Sequence, residues 1–478
     1  PPDPDRRPER EHQLEAESRL LMKRLLLGMM AVALLTGCCH SLVYDVTRFG
    51  AKGDGVTNDA AAIQKAIDKA SGQGGTVVFP SGKTFLAGPL ELKSHVEYRF
   101  EPGTLLLASP DESLYTRSAF GENRGEGMCW IWAQDAEDIS ITGTGRIDGN
   151  GVAFMADEIE DSYNLKPLED DFDPRPHLMT LYGVRGLRIR DVTLANSAYW
   201  TVHLGGCYDV VIDGVTIANN LKIRNGDGID IDHSRKVRIS NCFIESGDDS
   251  ICLKNRRELS AFGPCEDIVV QNCVMESRSC AVKFGSENVD RIANVLIDNC
   301  IIRGGNRALG IQNRDEGTIT GVVFSNILIG TRFYSDTWWG KAEPIYVTAF
   351  PRKNAKNKDG NWRFPPGATE GSCGEVSDIV FRDIRCDCEN GVFVSGDTMD
   401  KVHDITFEGV EVCFRRQTDY EGGIYDRRPC NVEEFIHDDT YGFYLDNVSG
   451  VRIIDCSVES REPAILHYGG PLKQPRTR

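Results

Sequence analysis

The sequence predicts an all-β chain wound as a parallel β-helix, with one short helix capping its N-terminal end. Three observations carry this. A hexapeptide of alternating apolar residues recurs as IRDVTL (189–194), IDGVTI (212–217), ISNCFI (239–244), VQNCVM (270–275), IDNCII (297–302) and FSNILI (324–329). These copies are offset by 23, 27, 31, 27 and 27 residues, and FRDIRC (381–386), FEGVEV (407–412) and IIDCSV (453–458) continue the series. A period in this range means stacked coils, whereas propeller blades run to ~40–45 residues. No helix-length pattern lies between the copies, which argues against βαβ units. Finally, the 48 glycines suit a chain that turns tightly and often.

Taken in order, the chain opens with a polar, charged stretch, residues 1–21, read as an extension outside the native start. Met22-Lys23-Arg24 begins a positive region, and Leu25 to Leu35 is an apolar core too short to span a bilayer comfortably. Leu35-Thr36-Gly37-Cys38 then resembles a bacterial lipobox. The expectation is a lipoprotein-type signal over 22–37 and a lipidated Cys38. That implies a protein of the bacterial periplasm or outer membrane, touching the membrane only through its anchor. An ordinary cleaved signal is the alternative. Residues 38–478 then form a single β-helix domain.

Tyr44 to Asn58 reads as a strand and a Gly-rich turn, with Thr57 or Asn58 placed to cap the helix that follows. Ile63, Ala66, Ile67 and Ala70 form one apolar stripe at helical spacing. A single amphipathic helix ahead of many strands suits the cover of an open sheet edge. Within the repeats, Asn241, Asn272, Asn299 and Asn326 recur at one position, as an Asn ladder would. Cys242, Cys273, Cys300 and Cys456 recur at the next, which reads as stacked apolar core. Pairing among Cys129, Cys265, Cys373, Cys413 and Cys430 stays open. Cys386-x-Cys388 lacks a partner cluster at metal spacing. No metal site and no cofactor are expected.

Two stretches interrupt the repeat, residues 150–178 and 331–375. Long loops on one face of a solenoid usually build its binding face. The second holds Trp338, Trp339 and Lys341, expected to fold over a cleft with one indole stacked on a sugar and the other packed beneath.

The chemistry concentrates between Asn225 and Lys254, where NGDGID and SGDD lie about one coil apart. Stacking puts Asp227 and Asp249 on adjacent rungs with Asp248 beside them. Three carboxylates on one patch push their pKa values apart, as acid/base chemistry needs. If Ile251 and Leu253 point inward, the outward column reads His203, Asp230, Cys252, Lys283, Gly310. Flanking columns read Trp200, Asp227, Asp249, Cys280, Arg307 and Gly205, Asp232, Lys254, Gly285, Gln312. An aromatic, a carboxylate cluster and cations on one face suit a sugar ligand. A net charge of −18 argues against nucleic acid and would repel an acidic polysaccharide, so uronate recognition needs local Lys or Arg.

On these motifs, together with FGAKGDGVTNDAAAIQKAID and RPHLMTLYGVRGLRIRDVTLANSAYWTVHL, the chain over about residues 43–460 resembles glycoside hydrolase family 28. That is the polygalacturonase and rhamnogalacturonan hydrolase group. The resemblance implies a right-handed parallel β-helix and hydrolysis with inversion. It makes Asp248 the general acid, with Asp227 and Asp249 holding and activating water. Asp230, His203, Trp200, Lys254, Lys283, Arg307, Gln312, Arg314, Trp338, Trp339 and Lys341 would bind substrate, a plant cell-wall-type polysaccharide or oligosaccharide. The Gly-His-Gly of polygalacturonases is replaced by Ser279-Cys280-Ala281, and their Arg-Ile-Lys by Gly310-Ile311-Gln312. Lys283, Arg307 or Arg314 are the cations left to meet a substrate carboxylate. A polysaccharide lyase and a non-catalytic carbohydrate-binding β-helix are the alternatives.

Overall fold

The computed structural model describes residues 22–23, 42–120, 126–167, 172–336, 338–353 and 372–474. The chain divides into residues 1–42 and a compact unit, 43–478. The expected signal segment lies outside the described residues except for Met22 and Lys23, and Cys38 lies wholly outside them. Among the described residues, no helix is long and apolar enough to cross a membrane.

The compact unit is a right-handed parallel β-helix. Every repeat aligned above pairs in the register of that alignment. Ile189, Ile212, Ile239, Val270, Ile297, Phe324, Phe381, Phe407 and Ile453 are successive partners. The column also extends upstream through Ile141, Tyr98 and Val77 to Tyr44, rungs whose spacing is too irregular to show as a repeat. A second column runs from Leu106 through Leu194 and Ile244 to Val458. A third runs from Leu181 through Leu204, Ile231, Leu253, Phe284 and Ile311 to Leu445.

These inward residues form one continuous core, each large aliphatic contributing about 1.5–3 kcal/mol on burial. Phe324 stacks on Phe381 at 4.8 Å, and Phe381 on Phe407 at 5.1 Å. Cys242, Cys273 and Cys300 are buried in the core as expected, while Cys456 is half-buried. The open question of disulfides resolves against pairing: Cys129, Cys265, Cys373, Cys413 and Cys430 are free thiols. The Asn ladder is present. Asn272 Nδ2 donates to Asn241 at 3.2 Å, Asn299 to Asn272 at 2.8 Å and Asn326 to Asn299 at 2.9 Å. All four residues have φ between 53° and 57°, a left-handed turn that Asn tolerates.

The cap helix, α1, spans Ala60–Ser71 and buries the predicted stripe Ile63, Ala66, Ile67 and Ala70. Asp59 holds the boundary position but makes no side-chain capping bond. The Asp59 carboxylate faces away from the helix and accepts from Lys52 and Gly53 N–H. Asn58 Oδ1 accepts from Ala60 N–H at 3.1 Å instead.

Candidate active site

Strands Val202–Gly205, Ile229–Asp232, Ile251–Asn255 and the C-terminal half of Val274–Asn288 lie side by side on the third face. Their pairing places His203 beside Asp230, Asp230 beside Cys252, and Cys252 beside Lys283. Asp227 and Asp249 sit two residues before the paired Ile229 and Ile251, and Gly228 N–H donates to the Asp249 carbonyl at 2.8 Å. The glycines of both motifs let neighbouring rungs close up. A Cβ on Gly247 would fall 2.2 Å from the Ile223 carbonyl, and one on Gly228 would fall 2.3 Å from that of Ser250.

Asp227, Asp248 and Asp249 each offer a carboxylate oxygen within 4.8 Å of the other two. Ser246 and Ser277 Oγ donate to the Asp248 carbonyl at 2.8 and 2.6 Å, which fixes the backbone between the two acids. The side chains are solvated unequally. Both Asp249 oxygens are engaged, Oδ1 by Ser279 Oγ at 3.0 Å and Oδ2 by Lys283 Nζ at 2.7 Å. Asp248 Oδ2 accepts from Asn225 N–H at 3.2 Å. Among the described residues, Asp227 Oδ1 is buried without a hydrogen-bond partner. Burial, then the Asp249 charge, pushes Asp248 up to about 6. Burial, then Asp230, Asp248 and Asp249, holds Asp227 well above the usual carboxylate range. A carboxyl that keeps its proton at mildly acidic pH beside an ion-paired carboxylate is the pairing that acid/base catalysis uses.

The trio opens into a cleft of ≈ 450 Å³. Trp200, Lys254, Lys283, Trp338 and Trp339 line it, as the sequence suggested. Lys254 Nζ lies 3.7 Å from the centre of the Trp200 ring and 2.6 Å from Asp230 Oδ1. Of the two tryptophans, Trp338 is buried and Trp339 is 37% exposed. The Trp339 ring stands 5.8 Å from Lys283 Nζ. Phe120, Tyr199, Arg224, Arg256, Arg352 and Lys353 also line the cleft and were not foreseen. Arg256 follows Lys254 by two residues and Tyr199 precedes Trp200, so sequence proximity was a usable signal for both. Phe120 and Arg352 come from loops that no period marks. The first interruption reaches the site indirectly. Arg175, paired to Asp173 at 2.8 Å, donates to the Arg224 carbonyl and to Asn225 Oδ1, and so holds the turn that caps Asp248.

Six residues expected to touch substrate lie behind the wall instead. His203 is fully buried between Tyr182 Oη and Asp232 Oδ2, both at 3.3 Å. Burial, then Arg256 and Lys254, lowers its pKa well below the usual value and keeps it neutral. Asp230 is fully buried as the counter-ion of Lys254, and burial raises it to about 7 despite that lysine. Arg307 is 4% exposed, stacked 3.5 Å from the Tyr346 ring and paired with Glu343 at 3.4 Å. Gln312 donates to the Arg428 carbonyl. Arg314 donates to the carbonyls of Pro429 at 2.7 Å and Arg427 at 2.8 Å. Lys341 is 2% exposed and pairs with Asp336 at 2.8 Å. Arg307, Gln312, Arg314 and Lys341 are covered by the segment 424–437, so their polar groups bind protein.

The sequence profile described as "Glycosyl hydrolases family 28" matches residues 76–334, more than half of the chain. One described as "Rhamnogalacturonase A/epimerase, pectate lyase-like" matches residues 43–98. The chain is 29% identical over 280 residues to a probable polygalacturonase of Vitis vinifera, covering 55% of each protein. It thus spans little more than half the length of that curated relative. It is 26% identical over 368 residues to an endo-polygalacturonase of Pectobacterium carotovorum, covering 74% of this chain and 83% of the relative. Its fold matches the crystal structure of an exopolygalacturonase from Thermotoga maritima with a TM-score of 0.62 at 21% identity, over 80% of this chain and 89% of that one. The profile match includes both acidic motifs and the rungs that bring their carboxylates together, and on that match the chain belongs to glycosyl hydrolases family 28.

Proposed function

We propose that the protein hydrolyses glycosidic bonds of an acidic, pectin-type glycan, with galacturonan the first candidate and rhamnogalacturonan the second. One observation carries this reading: Asp248, raised toward neutrality, beside Asp227 and ion-paired Asp249 at the floor of a cation-lined cleft. Arg224, Lys254, Arg256, Lys283, Arg352 and Lys353 line that cleft beside its acids, so basic groups for a substrate carboxylate are gathered locally although the chain as a whole carries −18. The relatives support galacturonan, since they are named as polygalacturonases.

In the reaction, the protonated Asp248 gives its proton to the glycosidic oxygen as the C1–O bond breaks. A water held by Asp249 and Asp227 attacks C1 and loses its proton to one of them, so each turnover consumes one water. Inversion follows the family resemblance. One oxygen of each acid lies within 4.8 Å of the other two, a closer approach of single atoms than the about 6.5–9.5 Å between whole carboxyls of an ordinary inverting pair. Against retention, both oxygens of Asp249 already accept hydrogen bonds, which makes it a poor nucleophile. Proton NMR of the first-formed anomer decides between them.

Trp338 and Trp339 narrow one side of the cleft and favour attack at chain ends or on short oligosaccharides. Export as a lipoprotein through Cys38 belongs to the same reading. It rests on the 22–38 pattern alone and is tested by palmitate labelling of cells expressing the full chain. The function is tested by digesting a panel of galacturonan, rhamnogalacturonan and neutral pectic side chains. New reducing ends on galacturonan, with a slow fall in viscosity, are expected. An unsaturated, ultraviolet-absorbing product would mean a lyase instead, and binding without turnover a carbohydrate-binding β-helix.

A further inference from the structure

The three carboxylates share one floor, yet the reaction needs one to give a proton and another to take one. The geometry around them is asymmetric in a way the resemblance does not anticipate. Lys283 enters from the rung after Asp249, on the strand that pairs Lys283 with Cys252. It stands four residues after Ser279, in the segment that departs from the Gly-His-Gly pattern. Its ammonium reaches Asp249 Oδ2 at 2.7 Å while Ser279 covers Oδ1. Among the described residues Asp248 has no cation in hydrogen-bond contact: its side chain accepts from a backbone N–H and feels Lys283 only through space, while Asp227 Oδ1 has no hydrogen-bond partner. With only 13% of its side chain exposed, Lys283 is committed to this contact.

We propose that Lys283 is the positioning residue that divides the labour among the three acids: its ammonium holds Asp249 as the charged base that takes the water proton, and so leaves Asp248 as the acid. This rests on the hydrolytic reading above. The charged and titratable groups facing the pair come from four rungs: Asp227 and Asp230, then Asp248, Cys252 and Lys254, then Cys280 and Lys283, with Arg307 behind Cys280. Lys254 is spent on Asp230 at 2.6 Å, which leaves Lys283 to face Asp249. Burial works against the ammonium, but Asp249, Cys252 and Asp248 together outweigh it and keep Lys283 charged throughout the working range. Removing that charge favours the protonated form of both neighbouring carboxyls.

The test is Lys283→Met, with Lys283→Arg as the charge-preserving control. The acidic limb of the kcat/KM profile is expected to move up by at least one pH unit. The rate at pH 5 should fall at least tenfold, and the arginine variant should restore the limb. A raised KM with both limbs unmoved would make Lys283 a substrate clamp and overturn the proposal. A lowered Tm with both limbs unmoved would make it structural and do the same. A second measurement needs no substrate and leaves Lys283 in place. Carboxyl 13C titration of the wild-type protein, with Asp249 assigned by difference against Asp249→Asn, should show Asp249 charged throughout the titration of Asp248. Asp249 titrating at or above Asp248 would overturn the proposal even if no glycan tested is cleaved. Absence of turnover with the expected titration order would count against the hydrolytic reading alone.

Discussion

Two neighbouring stretches of the same face carry polar residues in the same outward columns and use them differently. On the rungs of Asp227, Asp248 and Asp249, these three acids and Lys254 meet a cleft. Two rungs on, Arg307, Gln312 and Arg314 point the same way in register, yet bind loop carbonyls and a buried carboxylate. What differs is the cover. Asn306 Nδ2 donates to the Trp339 carbonyl at 3.0 Å, and Asp426 accepts from Gly340 N–H at 3.1 Å, so the tryptophan loop is pinned over the second stretch. Glu389 adds to the clasp by accepting from Phe333, Gln417 and Thr418 N–H. The lower rungs therefore serve the site at one remove, by holding the wall that carries Trp338 and Trp339. Register tells which way a side chain points, and only the cover tells what it meets.

The comparison breaks first on the acid. Asp248→Asn should lower kcat by about 10²–10⁴-fold, the range for removing a general acid, with the fold kept. Activity within tenfold of wild type on the cleaved glycan would remove Asp248 from that role. On the covered rungs the effect should fall on stability. Arg307→Ala strands Glu343, which is fully buried, and should cost about 3–5 kcal/mol in denaturant unfolding. Where it stays folded, its KM should lie close to wild type. A large rise in KM without loss of stability would return Arg307 to the substrate.

A smaller effect is expected at the rim. Trp339→Ala should raise KM by about 2–10-fold, from the ~0.5–1.5 kcal/mol of an aromatic contact beyond its area burial. It should also speed mid-chain cleavage relative to end cleavage, seen as an earlier viscosity drop.

The smallest effect sharpens the electrostatics. Asp248 has a folded pKa of about 6, above the ordinary carboxylate value near 3.8. Charging it in place therefore destabilises the fold above pH 6, and the penalty fades as pH falls toward 3.8. Asp248→Asn should melt at least about 2 °C above wild type at pH 7.5, and the gap should narrow by pH 5. A gap that stays constant with pH would mean Asp248 is not strained by its charge.

The repeat made much of this legible in advance. Because coils stack in register, aligning Ile212 with Ile239 and Val270 was enough to place the Asn ladder, the core cysteines and the neighbouring Asp227 and Asp249. A β-helix makes long-range contacts periodic in sequence, so one chain read alone reveals them. The first rungs, Tyr44 to Ile141, escaped because insertions of unequal length break the period. Asn58 caps α1 with its side chain as expected, although the boundary residue is Asp59, which spends its carboxylate on the preceding turn.

Alternation determined the outward columns, since neighbouring side chains on a strand point to opposite sides. It could not determine that His203 and Asp230 lie sealed beneath Lys254 and the aromatic wall. Nor could it show that Arg307, Gln312, Arg314 and Lys341 are roofed by the segment 424–437, more than 80 residues further along the chain. Solvent access and hydrogen-bond partners depend on which non-repeating loops come to rest on a rung. No local period encodes that, so the tertiary structure alone decided which of the predicted polar groups face a ligand.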